Sequence, residues 1–161
     1  MIAGALVKGL FVLTDGAPIP FLYNPAEIDD GRTVEYEELT PLGFSHSVLH
    51  YKHAKSEPIT FTMSVGSRLP YTSIQAPMSV EAFIGLLEDL TCPVFKAGRM
   101  VSAPPEIVLV FGMYIKTGFV KSIKVSRKSF SPLLTIERAD IAVIFQETVK
   151  ANRNRINAFG Y

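Results

Sequence analysis

The three histidines of the chain, His46, His50 and His53, lie within eight residues of one another. On an α-helix this spacing would place three imidazoles on one face, where they could offer three nitrogens to a zinc ion. Residues 43–55 carry no clear helix signal, however, and no fourth ligand is evident. The competing interpretation is a histidine-rich surface loop. We therefore predict no metal site, and we keep a metal-binding interaction module as an alternative function.

Glu35, Glu37 and Glu38 form a second candidate, a set of carboxylates of which Glu35 and Glu37 share one face of a predicted strand. General acid–base catalysis needs two carboxylates in different environments within a cleft. Neighbours on one strand face share an environment and repel each other when unpaired. A solvated face, or one side of an ion-pair set between subunits, explains them better. The sequence also lacks a phosphate-binding glycine loop and a Gly-x-Ser-x-Gly elbow, so we expect neither enzymatic activity nor a cofactor.

A basic stretch in the C-terminal half of the chain, at residues 116–128, is a candidate for nucleic-acid binding. Its central members, Lys121 and Lys124, have opposite parity on a strand and cannot form a single-face stripe. The 16 basic and 15 acidic residues of the 161-residue chain nearly cancel, which leaves a net charge of +1. This balance gives no electrostatic footprint for nucleic acid, and we expect no specific nucleic-acid partner. The stretch comprises Lys116, Lys121, Lys124, Arg127 and Lys128.

The chain is unusually apolar for its size. Apolar residues make up 48%, and the mean hydropathy is +0.25. The longest apolar run, residues 107–111, has five residues, whereas a membrane span needs about 18 or more. Cys92 is the single cysteine, so no internal disulfide can form. We therefore expect no membrane partner, and we expect the surplus apolar surface to contact other protein chains.

Strand patterns dominate and predict a mainly β (α+β) fold. Between residues 57 and 65, apolar and hydroxyl side chains alternate as in a half-buried strand. Asp15-Gly16 between two apolar runs predicts a hairpin turn, because glycine tolerates positive φ. Residues 41–56 are predicted to be irregular and polar. The other predicted strands span residues 5–14, 17–23, 33–39, 107–115, 119–125 and 133–149, with a short connection at 129–132. The strand over 107–115 is predicted to be broken by Gly112.

One helix is predicted, and it begins after Ser79, a suitable N-cap, with Glu81 in the first turn. Pro93 would end it, and we expect it to cover one face of the sheet. Its apolar face comprises Val80, Phe83, Ile84, Leu87 and Leu90. We find no internal repeat and no linker, so residues 1–151 are predicted to form one β domain and residues 152–161 a C-terminal tail.

Several fragments, in this order and at this spacing, resemble a known family over roughly residues 5–149. They are Phe21-Leu22-Tyr23-Asn24-Pro25, Thr40-Pro41-Leu42-Gly43, Leu49-His50-Tyr51, Gly118-Phe119-Val120, Phe130-Ser131-Pro132 and Arg138-Ala139. The family is that of the tube-like baseplate proteins of contractile injection systems and contractile phage tails, which are often linked to a LysM module. His50 stands where the family usually has glutamine, and no LysM module is expected here.

The resemblance implies a tail-tube-like β-barrel or sandwich with one flanking helix, assembled as a hexameric ring whose sheets join into one inner barrel. It implies a structural virion protein: a baseplate-hub or tube-initiator subunit that links the spike hub to the tail tube. A tail terminator or completion protein of similar fold is the alternative. The implied partners are the tail tube protein, the spike or hub protein, and sheath or wedge proteins. The implied location is the tail baseplate, after assembly in the host cytoplasm.

On this interpretation, the strands at residues 119–125 and 133–145 should line the ring wall. The 43–55 loop and the 152–161 tail should reach neighbouring proteins. The predicted interface residues are Phe119, Ile123, Val125, Ile141 and Val143.

Overall fold

The structure is a computed structural model that describes residues 8–66 and 79–148, and these form strands and one short helix. The elements are β1 (Leu10–Leu13), β2 (Pro18–Pro20), β3 (Ile28–Asp29), β4 (Arg32–Leu39), β5 (Val48–Ser56), β6 (Ile59–Gly66), α1 (Val80–Asp89), β7 (Val94–Lys96), β8 (Arg99–Ser102), β9 (Ile107–Phe111), β10 (Tyr114–Arg127) and β11 (Arg138–Glu147).

Seven of these strands form one antiparallel sheet in the order β2-β1-β9-β10-β11-β6-β3. The remaining four form two separate hairpins, β4–β5 and β7–β8. The predicted mainly β fold with one flanking helix is confirmed. Within the described ranges, no helix has the length and apolarity that a membrane span requires.

The core lies between one face of the sheet and α1. On β6 the apolar side chains at alternate positions are buried, as the period-two pattern predicts. The neighbouring interior strand β11 supplies their partners: Ile141 pairs with Met63, and Phe145 pairs with Ile59. Because only one face of the sheet is covered, the opposite face carries Thr60 and other residues that remain partly accessible.

Helix α1 begins and packs as its sequence predicts. The Ser79 Oγ accepts a hydrogen bond from the Ala82 N–H at 3.2 Å and so satisfies one of the free donors of the first turn. The apolar stripe from Val80 to Leu90 is buried in the common core. Glu81, in the same turn, accepts a hydrogen bond from Arg127 at 3.2 Å, which ties the helix to β10.

The Phe21–Asn24 fragment has a structural explanation. Phe21 is fully buried, and its ring lies 5.0 Å from that of Phe11 in an edge-on arrangement. The Asn24 Oδ1 accepts a hydrogen bond from the Gly9 N–H at 2.9 Å, and the Phe21 N–H donates to the Gly9 carbonyl at 2.8 Å. The fragment is therefore held against the start of β1 by packing and hydrogen bonds. These contacts explain its residues without a ligand.

Two strand predictions were wrong. Residues 48–56, which we expected to be irregular, form strand β5. The alternation of apolar and polar side chains on β5 covers only residues 49–52, because a bulge at Lys52 then shifts the register, and so short a pattern did not indicate a strand. The predicted strand 133–149 begins only at Arg138, because residues 131–135 form a turn in which the Ser131 N–H donates to the Thr135 carbonyl.

The strand predicted over residues 107–115 is interrupted at Gly112, whose φ of 63° forms the tight turn between β9 and β10. The β7–β8 hairpin was not predicted at all. Its turn places Ala97 and Gly98 at φ values of 50° and 77°, as a two-residue hairpin turn requires. The predicted tail, residues 152–161, and the start of the first predicted strand lie outside the described residues.

Candidate assembly surface

The structure divides the predicted interface residues between the subunit core and its surface. Ile141 and Val143 are 0% and 1% exposed, so their side chains belong to the core of their own subunit. Ile123 and Val125 are partly buried and pack against the same core. Phe119 alone of the five is an exposed large apolar side chain, at 39%. A direct contact of Ile141 or Val143 with another chain is therefore not available in the folded subunit.

A β-bulge explains this division. Phe119, Ile123 and Val125 are all odd-numbered, and a regular strand would place them on one face. The pairing of β10 with β11 shifts between Val120 and Ser122, which leaves Lys121 as an extra residue. Beyond the bulge the parity is reversed, so Ile123 and Val125 face the core while Phe119 faces outward.

The β4–β5 hairpin carries an unusual amount of exposed apolar surface. Val34, Tyr36, Leu49 and Tyr51 lie on one face of it, because the register pairs Val34 with Ala54, Tyr36 with Tyr51, and Glu38 with Leu49. The two tyrosine rings lie 6.1 Å apart in an edge-on arrangement, and each residue is more than half exposed. We call these four residues the apolar hairpin face. Such a concentration of exposed apolar side chains is typical of a protein–protein contact.

Apart from Leu39 and Val48 beside the loop, the opposite face of the hairpin is polar, and two of its glutamates are paired within the hairpin. The Lys52 Nζ lies 3.5 Å from a Glu37 carboxylate oxygen, and the His53 Nε2 lies 3.6 Å from one of Glu35. A bulge on β5 omits Lys52 from the pairing, between His53 opposite Glu35 and Tyr51 opposite Tyr36. The two glutamates thus lie beside a lysine and a histidine on a solvated strand face, where an exposed ion pair contributes about 0–1 kcal/mol.

The histidines do not adopt the helical arrangement that would align them. His50 and His53 belong to β5, and the His46 Nδ1 shares a hydrogen bond with the Ser45 Oγ at 2.9 Å in the hairpin loop. Over the described ranges, no group of three or more histidine, cysteine, aspartate or glutamate side chains is placed to hold a metal ion.

A polar cluster anchors the base of the hairpin to the main sheet. The Glu147 carboxylate accepts hydrogen bonds from Lys116 at 3.1 Å and from the buried Ser56, at the end of β5, at 3.4 Å. The Tyr114 hydroxyl donates to Asp30 at 2.7 Å, just before β4. Burial and this hydrogen bond raise the pKa of Tyr114, so its hydroxyl stays protonated as a donor. Both ends of the hairpin are therefore tied to β10 and β11.

Three cations of the basic stretch form ion pairs within the subunit. Lys116 contacts Glu147, Arg127 contacts Glu81, and Lys128 contacts Asp140. These pairs leave fewer cations of the stretch available to phosphate groups.

Asp140 is expected to make the fold sensitive to acid. Hydrogen bonds from Lys128 and Ser64 lower the pKa of Asp140 below its ordinary value. A carboxyl with a lowered folded-state pKa stabilises the fold above its unfolded pKa, and the contribution is lost as the pH falls through the folded value. Asp140→Asn should therefore be less stable than the wild type at neutral pH, with a difference that shrinks below about pH 4.

Urea unfolding at a series of pH values measures this difference. Lys128→Met removes the same ion pair from its other side, so its pH dependence should follow that of Asp140→Asn. A stability difference that stays constant from neutral to acidic pH would contradict the assigned role of Asp140.

A groove of about 750 Å³ runs beside an uncovered part of the sheet edge. β3 pairs only with Thr60 and Phe61, so the edge of β6 from Thr62 to Gly66 has no strand partner on that side among the described residues. Tyr23 and Ala26 line one wall of the groove, and Glu137 and Arg138 line another. An open sheet edge of this kind can pair with a strand of another chain.

The exposed apolar hairpin, the open sheet edge and the paired surface charges define a structural subunit built for assembly. Residues 11–156 match the contractile injection system tube protein family, and the chain belongs to that family. Comparison with curated proteins found no match. Proteins of this family are structural and non-enzymatic, and they oligomerise as parts of the injection tube. The predicted resemblance is thereby confirmed at the level of the family, and so is the prediction that the chain is not an enzyme.

Half of the apolar hairpin face was not predicted from the sequence. The predicted strand 33–39 places Val34 and Tyr36 together on one face, but residues 48–56 were not recognised as the partner strand that adds Leu49 and Tyr51. The available signal was the repetition of an apolar–charged alternation, at 34–37 and again at 49–52, on both sides of the turn residues Pro41 and Gly43.

Proposed function

We propose that this chain is a ring subunit at the baseplate of a contractile tail, where it links the spike-bearing hub to the tail tube. The observation that carries the proposal is the apolar hairpin face. A subunit that acted alone would leave Tyr36, Leu49 and Tyr51 in water. Burial of each such side chain against another chain contributes roughly 1.5–3 kcal/mol, enough for a few of them to sustain an assembly.

A closed ring also accounts for the sheet edges. β2 is protected on one edge by Pro18 and Pro20, since proline has no N–H to offer a further strand. Among the described residues, the edge of β6 from Thr62 to Gly66 has no such protection, and it borders the groove. If a strand of the next subunit pairs there, a rotation that closes after a whole number of copies leaves no free edge. The resemblance of the sequence implies a hexamer.

The mechanism of such a subunit is assembly, with no catalytic step. One side of the ring would present a template on which the tail tube protein begins to polymerise, and the other would dock the spike complex. The near-neutral charge of the chain suits a channel wall that must pass DNA or cargo without retaining it.

Two measurements test this proposal. Native mass spectrometry over a range of protein concentrations, alone and with the tail tube protein, should show a closed oligomer; a monomer under both conditions would contradict a ring. Electron microscopy of particles that carry a gold-labelled version of the chain should place the label at the baseplate. A label along the whole tube would identify a main tube subunit, and a label at the far end would identify a terminator.

Substitution of both tyrosines of the apolar hairpin face should abolish the oligomer and leave the subunit folded. In Tyr36→Ser/Tyr51→Ser, both side chains are already exposed, so the melting temperature of the monomer should change by no more than a few degrees. The association constant should fall roughly 100-fold or more, because two aromatic contacts are lost. Native mass spectrometry and thermal unfolding measure the two effects separately.

His50→Ser is the matched control on the opposite face of the same hairpin. His50 is exposed and lies opposite Glu37, so its removal should leave the oligomer mass unchanged. If His50→Ser disrupts the oligomer as strongly as the tyrosine variant does, then the whole hairpin and not its apolar face mediates the contact.

A further inference from the structure

The β7–β8 hairpin is a second exposed apolar element, separate from the apolar hairpin face. It lies outside the seven-stranded sheet. Val94, Phe95, Met100 and Val101 are between 45% and 64% exposed. Phe95 and Met100 are paired across the two strands and so lie on one face. None of the four belongs to the core of the subunit, so the core does not explain why this short hairpin is apolar.

The tip of the same hairpin bears two cations side by side. Lys96 is directly opposite Arg99 in the strand register. Like charges at directly opposed positions destabilise a strand pair. Neither side chain forms an ion pair with any residue of 8–66 or 79–148. The hairpin therefore has a surface that an apolar partner with a carboxylate at one end would complement.

The apolar hairpin face has that composition. Glu38 lies on this face, opposite Leu49 and two positions beyond Tyr36. Glu35 and Glu37 lie on the other face and contact His53 and Lys52, whereas Glu38 forms no ion pair within the described part of the chain. The face thus combines two aromatic rings with a carboxylate that has no cation beside it.

We propose that the β7–β8 hairpin of one copy docks onto the apolar hairpin face of the next copy. Val94 lies two positions before Lys96 and so shares the face of the two cations, whereas Phe95 and Met100 lie on the opposite face. Val94 packs against Tyr36 and Tyr51, and the cations of the tip approach Glu38. The proposal rests on the proposed ring function and names its repeating contact. A second copy is the occupant because both complementary surfaces are present in every chain, on different hairpins. A head-to-tail contact of this kind covers both surfaces of each subunit once the ring closes.

Charge reversal on each side gives a specific test. In Lys96→Glu/Arg99→Glu the hairpin tip becomes acidic and meets Glu38; in Glu38→Lys the cations meet a cation. Each variant alone should associate roughly 100-fold more weakly than the wild type, because like charges then face each other in the contact. A mixture of the two in equal amounts should assemble again, with the variants alternating and an even number of subunits. The chain that carries all three substitutions should also assemble.

The control variant is Lys55→Glu, which reverses an exposed charge that lies on the opposite face of β5 and should leave the association constant unchanged. Thermal unfolding of every variant verifies that the subunits are folded. If the wild type forms rings and the reversed variants do so equally well, the docking is overturned while the ring stands. The docking is also overturned if the two variants fail to assemble when mixed. A wild-type chain that stays monomeric, even with the tube protein, overturns the proposed ring and this contact with it.

Discussion

Ile141→Asp should unfold the subunit itself and not merely release it from its assembly. Ile141 is 0% exposed and lies on the interior strand β11, between Val125 on one side and Met63 on the other. An aspartate there must either ionise without a cation or take up a proton, and the penalty is several kcal/mol in either case. Typical domain stabilities are about 5–15 kcal/mol, so most of the stability would be lost.

Far-UV circular dichroism and thermal unfolding measure this effect directly. The matched control is Ile144→Asp, three residues later on the same strand, where the side chain lies on the opposite and partly accessible face of the sheet. That variant should remain folded, because its carboxylate can reach water. A folded Ile141→Asp chain with a normal melting temperature and no oligomer would instead support a direct interface role for Ile141.

Gly118→Ala should be the most damaging methyl addition to the chain's described glycines. A Cβ at this position would lie 2.0 Å from the carbonyl oxygen of Gln146 and 2.9 Å from its carbon. Both atoms belong to the backbone of β11, so no side-chain movement can relieve the overlap. The strands must separate beside the Lys121 bulge, and we expect a loss of about 3 kcal/mol or more in the free energy of unfolding.

Gly85→Ala provides the comparison for that prediction. Gly85 lies within α1, and a Cβ added there has no atom within 4 Å. Alanine is the better helix former, so this variant should gain about 0.5–1 kcal/mol. Urea unfolding measures both variants. If the two substitutions have similar effects, close approach of the strands at Gly118 is not what requires a glycine there.

Some elements of the fold could be predicted from the sequence and others could not. Strand β6, helix α1 and the turn at Gly16 were predicted from local pattern alone, because each is marked by its own periodicity or by a capping or turn residue. Strand β5 was missed because its alternation covers only residues 49–52 before the bulge at Lys52 shifts the register, which is too short a pattern to mark a strand. β7–β8 is short and exposed, and it was missed for the same reason.

The assembly surface was predictable only in outline. The apolar composition indicated protein partners. The short sequence fragments, by their order and spacing, indicated the family, and the family match over residues 11–156 confirms it. The individual interface residues could not be derived in this way, because a buried strand and a strand that lines an interface have the same alternation. Ile141 and Val143 satisfy that pattern and lie in the core, whereas Tyr36 and Tyr51 satisfy it and lie in solvent.

Four properties of the protein follow from its amino-acid sequence alone: the class of fold, the helix with its cap, the absence of an internal disulfide and the expectation of a structural, assembling protein. These properties depend on composition and on residues close in sequence. Which face of its strand each side chain occupies depends on the tertiary structure. One extra residue, Lys121, reverses the parity of β10, and Lys52 does the same on β5. Because a bulge is defined by the register of two strands distant in sequence, only their pairing reveals which apolar residues form the core and which are available to another subunit.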